Sequence, residues 1–172
     1  STTGKMKTTT SAFRAITAYE TKFSAISVDK LDVCNAFKIG DNTTKAVEEA
    51  TSKFTDSMSD KEKIKICVDL ITKKFSYDAN GKGFTWTDGG TAGVCDDFAI
   101  ATRNILGIAG IPTLTITGDV SNGPHAWNMV YADGEWIIVD ATAAEFGYPQ
   151  YMSMSDHEKL YGYNHLLNTA LQ

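Results

Sequence analysis

The apolar positions of the chain change period along its length, and the changes mark its elements. From Phe13 to Ile26 the positions Phe13, Ile16, Tyr19, Phe23 and Ile26 approximate a helix, while the Ala/Thr alternation of the same stretch also admits a strand. Gly40-Asp41-Asn42-Thr43-Thr44 breaks the chain, and from Thr44 to about Phe54 the residues Ala46, Val47, Ala50 and Phe54 share one helical face. Ser59-Asp60-Lys61-Glu62 has the form of a capping box, with the stripe Ile64, Cys67, Leu70, Ile71, Phe75 directly after it. This predicts a helix of about four turns that ends near Ser76-Tyr77-Asp78.

Residues 79–93 are rich in glycine, with Phe84 and Trp86 set between polar neighbours, and predict a surface loop whose aromatics help to wall a cleft. At Cys95 a helical pattern begins again: Phe98, Ala101, Ile105 and Ala109 recur at helical spacing until Gly110-Ile111-Pro112 stops it. The period then falls to two. Thr113–Gly118 reads as a half-buried strand, 119–124 as a turn-rich loop, and 125–131 and 136–140 as two strands around Asp133-Gly134, a strong hairpin signal. Beyond Thr142 a loop leads to Ser155-Asp156-His157-Glu158, a second capping box that predicts a short terminal helix.

Composition narrows the class. With 172 residues, 42% of them hydrophobic, the chain is long enough for one domain spanning 1–172 with a substantial core. No apolar run reaches the roughly 20 residues that cross a bilayer, so no membrane insertion is expected. A first residue of Ser rather than Met fits a processed form or an excised piece, from which compartment is not read directly; we expect a secreted or cell-surface protein. Residues 1–87 carry fourteen Lys/Arg against eleven Asp/Glu, whereas residues 88–172 carry only Arg103 and Lys159 against ten acids. The second half therefore repels nucleic acid and anionic lipid; solubility, or a preference for neutral or cationic substrates, accounts for the charge.

Three cysteines without a C-x-x-C pair exclude a disulfide framework and suggest no zinc site. Cys67 belongs to a core stripe, and Cys34 also reads as buried; a bridge between them remains an open alternative. Cys95 differs. At the first turn of a helix a thiol meets unpaired N–H groups and the positive end of the dipole, both of which favour the thiolate. Asp96 and Asp97 pull the other way if they lie near the sulfur, but they also suit a helix start.

The hairpin supplies a base for that nucleophile. If Asp133-Gly134 is a two-residue turn, paired positions sum to 267, and Trp127 lies opposite Asp140. His125 and Asp140 then share a face as diagonal neighbours, with Cβ atoms somewhat under roughly 7–8 Å apart. A three-residue loop would separate them. A carboxylate-held imidazole has a fixed tautomer and leaves its other nitrogen for a nucleophile. The candidate roles are Cys95 as nucleophile, His125 as general base and acid, and Asp140 as orienter. The Cys95 N–H is one oxyanion donor, with Trp86 and Tyr77 as candidates for the second. His157 and His165 show no carboxylate partner in the sequence and are left out, and Trp127 and Trp136 read as sheet core.

Gly93-Val94-Cys95-Asp96-Asp97-Phe98-Ala99, Gly110-Ile111-Pro112, Gly118, His125-Ala126-Trp127-Asn128 and Glu135-Trp136-Ile137-Ile138-Val139-Asp140-Ala141-Thr142 resemble the core of the transglutaminase-like superfamily. The helix closing on Phe75-Ser76-Tyr77-Asp78 resembles the segment before the cysteine in bacterial members, so that the likeness covers about 43–160 and leaves 1–42 as an extension. The resemblance implies an α+β, papain-like fold: a cysteine-bearing helix packed on an antiparallel sheet that carries the His and Asp, preceded by N-terminal helices. It implies acyl transfer by Cys95, His125 and Asp140 without a cofactor or metal, on a peptide or protein substrate. We expect a cysteine protease or amidase. Protein cross-linking and a surface binding or scaffold module with little turnover are the alternatives, and a metal site on Cys95 and His125 lacks further ligands.

Overall fold

The computed structural model describes residues 39–162 and the backbone of 169–171. The expected element at Phe13–Ile26, Cys34 and His165 lie outside the described residues.

Among the described residues two helices come first. The first, α1 (Asp41–Ser52), starts directly after Gly40 and buries Thr43, Ala46, Val47 and Ala50. The segment expected to break the chain is therefore its first turn, because Asp41 and Thr43 find partners across the Gly-rich loop. The Asp41 carboxylate accepts the Gly89 N–H at 2.7 Å, and the Thr43 hydroxyl donates to the Phe84 carbonyl. The second helix, α2 (Asp60–Lys74), opens on the expected capping box: Ser59 accepts the Glu62 N–H at 3.1 Å, and Glu62 accepts the Ser59 N–H at 2.9 Å. Its stripe of Ile64, Cys67, Val68, Leu70 and Ile71 is buried. A parallel pair, β1 (Ser76–Tyr77) with β2 (Ala92–Gly93), then closes the Gly-rich loop at its base and hands the chain to α3 (Cys95–Ile108).

The main sheet is antiparallel, in the order β5-β4-β3-β6, with β3 (Thr113–Val120), β4 (Gly123–Ala132), β5 (Glu135–Val139) and β6 (Thr169–Leu171). The turn-rich loop expected at 119–124 is instead a tight hairpin, since Asp119 pairs with Pro124 and Val120 with Gly123. The second hairpin has the expected register, from Ala132↔Glu135 to Asn128↔Val139. Asp133 and Gly134 both have positive φ, +49° and +85°, as a two-residue turn of this hand requires. The turn is bolted to α2: Asp133 Oδ1 and Oδ2 accept the Asp60 and Lys61 N–H groups at 2.9 and 3.0 Å.

Both faces of this sheet are covered, so Thr113, Leu114, Thr115 and Ile116 are all buried and β3 is not the half-buried strand its alternation suggests. On one face Val130, Ala132, Ile137 and Val139 join Phe98, Ala101 and Ile105 of α3 and the stripe of α2. On the other, Leu114, Ile116, Trp127, Met129 and Ile138 form a second cluster with Met152. The chain reaches this second face through a short helix, α4 (Ala141–Glu145), where the sequence suggested only loop, and through an antiparallel bridge between Ile138 and Met152. It then forms α5 (Met154–Tyr161), capped by Ser153 rather than by Ser155: the Ser153 hydroxyl accepts the Asp156 N–H at 3.1 Å. At the other end the Ser121 N–H donates to the Tyr161 carbonyl at 2.9 Å. Thus α5 lies across the second face, fastened to the β5 side at its start and to the β3–β4 turn at its end. No described helix is long and apolar enough to cross a membrane.

Candidate active site

Cys95 is the first residue of α3, so its N–H lies outside the helical hydrogen-bond ladder. The preceding turn is shaped by Asp97. Its Oδ2 accepts the Val94 N–H at 3.0 Å, and its Oδ1 accepts the Phe84 and Thr85 N–H groups at 3.0 and 3.1 Å. The carboxylate is thus the centre around which the Gly-rich loop folds back. A Cβ on Gly93 would collide with that carboxylate, which explains the glycine two residues before the thiol. Asp96 is exposed. Of the two acids whose influence the sequence left open, Asp97 is a capping and loop-organising group.

His125 and Asp140 meet as the hairpin parity requires. The ladder between β4 and β5 stops at Asn128↔Val139, and Asp140 turns out of it to cap α4. Its Oδ1 accepts the Ala143 N–H at 3.0 Å, while its Oδ2 lies 2.8 Å from His125 Nε2. The Cys95 side chain lies close enough to the His125 ring to favour its cationic form. With Nε2 committed to Asp140, Nδ1 is the ring nitrogen left for a nucleophile. The structure therefore brings Cys95, His125 and Asp140 together, with the His125–Asp140 pair hydrogen-bonded.

The electrostatics follow from this arrangement. Burial alone would lower the His125 pKa, but the Asp140 bond and the Cys95 contact outweigh it and raise the value to about 9. Burial would raise the Asp140 pKa, but bonds from His125 and His157 bring it to about 2. Asp140 is wholly buried, and a buried carboxylate keeps its charge only with such donors.

His157, left aside on sequence grounds, is the second of those donors. Its Nε2 lies 2.7 Å from the same Oδ2 of Asp140, and the residue is fully buried. Tyr161, one turn further along α5, lies near Asp140, and burial together with that negative charge pushes its pKa well above the ordinary value. Its ring centroid is 4.8 Å from those of both His125 and His157. The available signal was the apolar second face of the sheet, which needs a cover, followed by His157 and Tyr161 at i, i+4 in the helix that comes after it.

Asn128 is the other residue whose part the sequence did not disclose. Its Nδ2 donates to the Ala99 carbonyl at 3.0 Å and the Leu114 carbonyl at 3.1 Å, tying the cysteine-bearing helix to the sheet. Tyr77 lies beside the entry to α3, paired with Gly93; its ring is 6.3 Å from Phe98 and 5.4 Å from Phe146. Trp86 is 53% exposed on the Gly-rich loop, whereas Phe84 is buried and stacked on Phe75 at 3.9 Å. Only one of the loop's two aromatics therefore stands free to wall a cleft.

His125, Asp140 and His157 bring ligand-type atoms within 4.8 Å of one another, and so supply the donors that the metal reading lacked in the sequence. Both Nε2 atoms are already closed on one carboxylate oxygen at hydrogen-bond distance, an arrangement for sharing protons.

The family model of the transglutaminase-like superfamily matches residues 45–141, a span that contains Cys95, His125 and Asp140. Among solved structures the chain is similar to a TGase at 20% identity and a TM-score of 0.53, over 84% of this chain and 43% of that one. It is also similar to a candidate cysteine protease from Cytophaga hutchinsonii, at 25% identity and a TM-score of 0.48, over 62% and 41% of the two chains. A third likeness is to a candidate protease from Parabacteroides distasonis, at 15% identity and a TM-score of 0.43, over 81% and 26%. The chain thus spans less than half the length of these structures. A search of curated proteins gave no match.

Proposed function

Because the chain belongs to the transglutaminase-like superfamily, we propose that it is a thiol-dependent hydrolase or acyltransferase acting on amide bonds of peptide or protein substrates. The observation that carries this reading is the His125 imidazole, hydrogen-bonded to the buried Asp140 carboxylate at 2.8 Å with the Cys95 side chain beside it.

In this reading His125 takes the Cys95 proton, and the sulfur adds to the carbonyl carbon of the substrate. The C=O electron pair moves to oxygen, and the Cys95 N–H stabilises the oxyanion. The C–N bond then breaks as the His125 imidazolium donates its proton to the departing amine, leaving a thioester on Cys95. Water, deprotonated by His125, attacks that thioester; the C–S bond breaks, a carboxylic acid leaves, and the proton returns to sulfur. An amine in place of water gives a new amide instead. Asp140 holds the ring in one tautomer and stabilises its cationic form. Tyr77 and Trp86 remain candidates for the second oxyanion donor or the cleft wall. The second half of the chain, with ten acids against two bases, supports neutral or cationic substrates.

Two measurements test the reading. Alkylation of Cys95 at pH 6–7 is expected to outpace that of a free cysteine, and to fall to the free rate in the His125→Ala chain. Incubation with a peptide library, with and without added amine, followed by mass spectrometry, separates the branches. Cleaved peptides select hydrolysis, amine adducts select transfer, and deamidated glutamine selects a glutamine-directed enzyme. Unaltered Cys95 reactivity in the His125→Ala chain refutes the nucleophile assignment.

A further inference from the structure

Asp140 accepts more than an orienting carboxylate needs. Its Oδ1 is occupied by the Ala143 N–H, and its Oδ2 receives both imidazole Nε2 atoms, from His125 at 2.8 Å and His157 at 2.7 Å. His157 is the one buried residue of α5. An apolar side chain there would have covered the sheet without the cost of desolvating an imidazole.

From this geometry we infer that His157 is a positioning residue of the site, acting through Asp140; the inference rests on the nucleophilic role of Cys95 proposed above. For both rings to bond one carboxylate oxygen, each must carry its proton on Nε2. That fixes His125 as the tautomer with Nδ1 left for a nucleophile. His157 donates to the carboxylate through Nε2. With the α4 cap on Oδ1 and His157 on Oδ2, the carboxylate cannot rotate, and the His125 ring inherits that orientation. The fastening of α5 at both ends, by the Ile138–Met152 bridge and the Ser121–Tyr161 bond, holds the donor in place. Tyr161 lays its ring against both imidazoles.

The test replaces His157 by Leu, which has no donor, and by Gln, whose amide reaches a similar position. Cys95 alkylation is followed against pH, with the thermal midpoint of each chain measured alongside. In the folded His157→Leu chain the rate at pH 6–7 is expected to fall about tenfold or more, as for a misplaced reacting group. In His157→Gln it is expected to return to within about threefold of the parent. In an Asp140→Asn background, His157→Leu is expected to add no further loss, because its route is already cut. Should His157→Leu not fold, the Gln chain and the parent still decide by 15N-histidine NMR. The parent is expected to show two downfield Nε2–H protons, Asp140→Asn to shift both, and His157→Gln to remove one. Parent-like reactivity in a folded His157→Leu chain, losses that multiply with those of Asp140→Asn, or a parent with a single downfield Nε2–H overturns the inference alone. A parent whose Cys95 reacts no faster than free cysteine overturns the catalytic reading, and the positioning role with it.

Discussion

The Nε2 atom of His125 lies 2.8 Å from Oδ2 of Asp140, a carboxylate that is wholly buried and therefore dependent on its donors. This pair makes stability depend on pH at both ends. The His125 pKa of about 9 lies above its ordinary 6.5, so the folded chain holds a proton that the unfolded chain releases first. Its contribution is complete below pH 6.5 and is lost as the pH rises through about 9. The Asp140 pKa of about 2 lies below its ordinary 3.8, so its contribution is present above pH 3.8 and is lost as the pH falls through about 2. Urea midpoints across pH are expected to show both declines, with the part of the alkaline one between pH 6.5 and about 9 absent from the His125→Asn chain.

Asn128 ties α3 to the sheet through the Ala99 and Leu114 carbonyls. Asn128→Leu removes both buried bonds, and is expected to cost about 1–3 kcal/mol in urea unfolding. Because the tie seats the helix that carries Cys95, the alkylation rate is expected to fall as well, even in chains that remain folded.

Asp97 gathers the N–H groups of Phe84, Thr85 and Val94. Its replacement by Ala orphans three donors and releases the Gly-rich loop. Limited proteolysis is expected to cut within residues 79–93 faster than in the parent, with a loss of about 1–3 kcal/mol in stability.

Cys67 and Cys95 are both free thiols, but Cys67 is fully buried and burial pushes its pKa far up. Brief treatment of the native chain with iodoacetamide is expected to modify Cys95 and spare Cys67, with Cys67 reacting only after denaturation. Peptide mapping checks this directly.

Gly134 holds a φ of +85° in the turn that sets the register bringing His125 to Asp140. Gly134→Ala is expected to lower stability by about 1–2 kcal/mol, the cost of left-handed backbone in a residue with a Cβ. Thermal unfolding measures it.

What the sequence by itself determined is what short-range physics controls. A capping box placed α2, a helix start placed Cys95, and a two-residue turn at Asp133-Gly134 set the parity that puts His125 and Asp140 on one face. These follow from hydrogen bonds and side-chain periods within a few residues of each other. The tertiary structure alone decided which distant groups answer the buried charges. Asp97 organises a loop because Phe84 and Thr85 fold back onto it. His157 reaches Asp140 because α5 is laid across the second apolar face of the sheet, from Met152 to Ser121. No local pattern encodes that docking. It is chosen by the burial of Leu114, Ile116, Met129 and Ile138 together with the need of one desolvated carboxylate for donors.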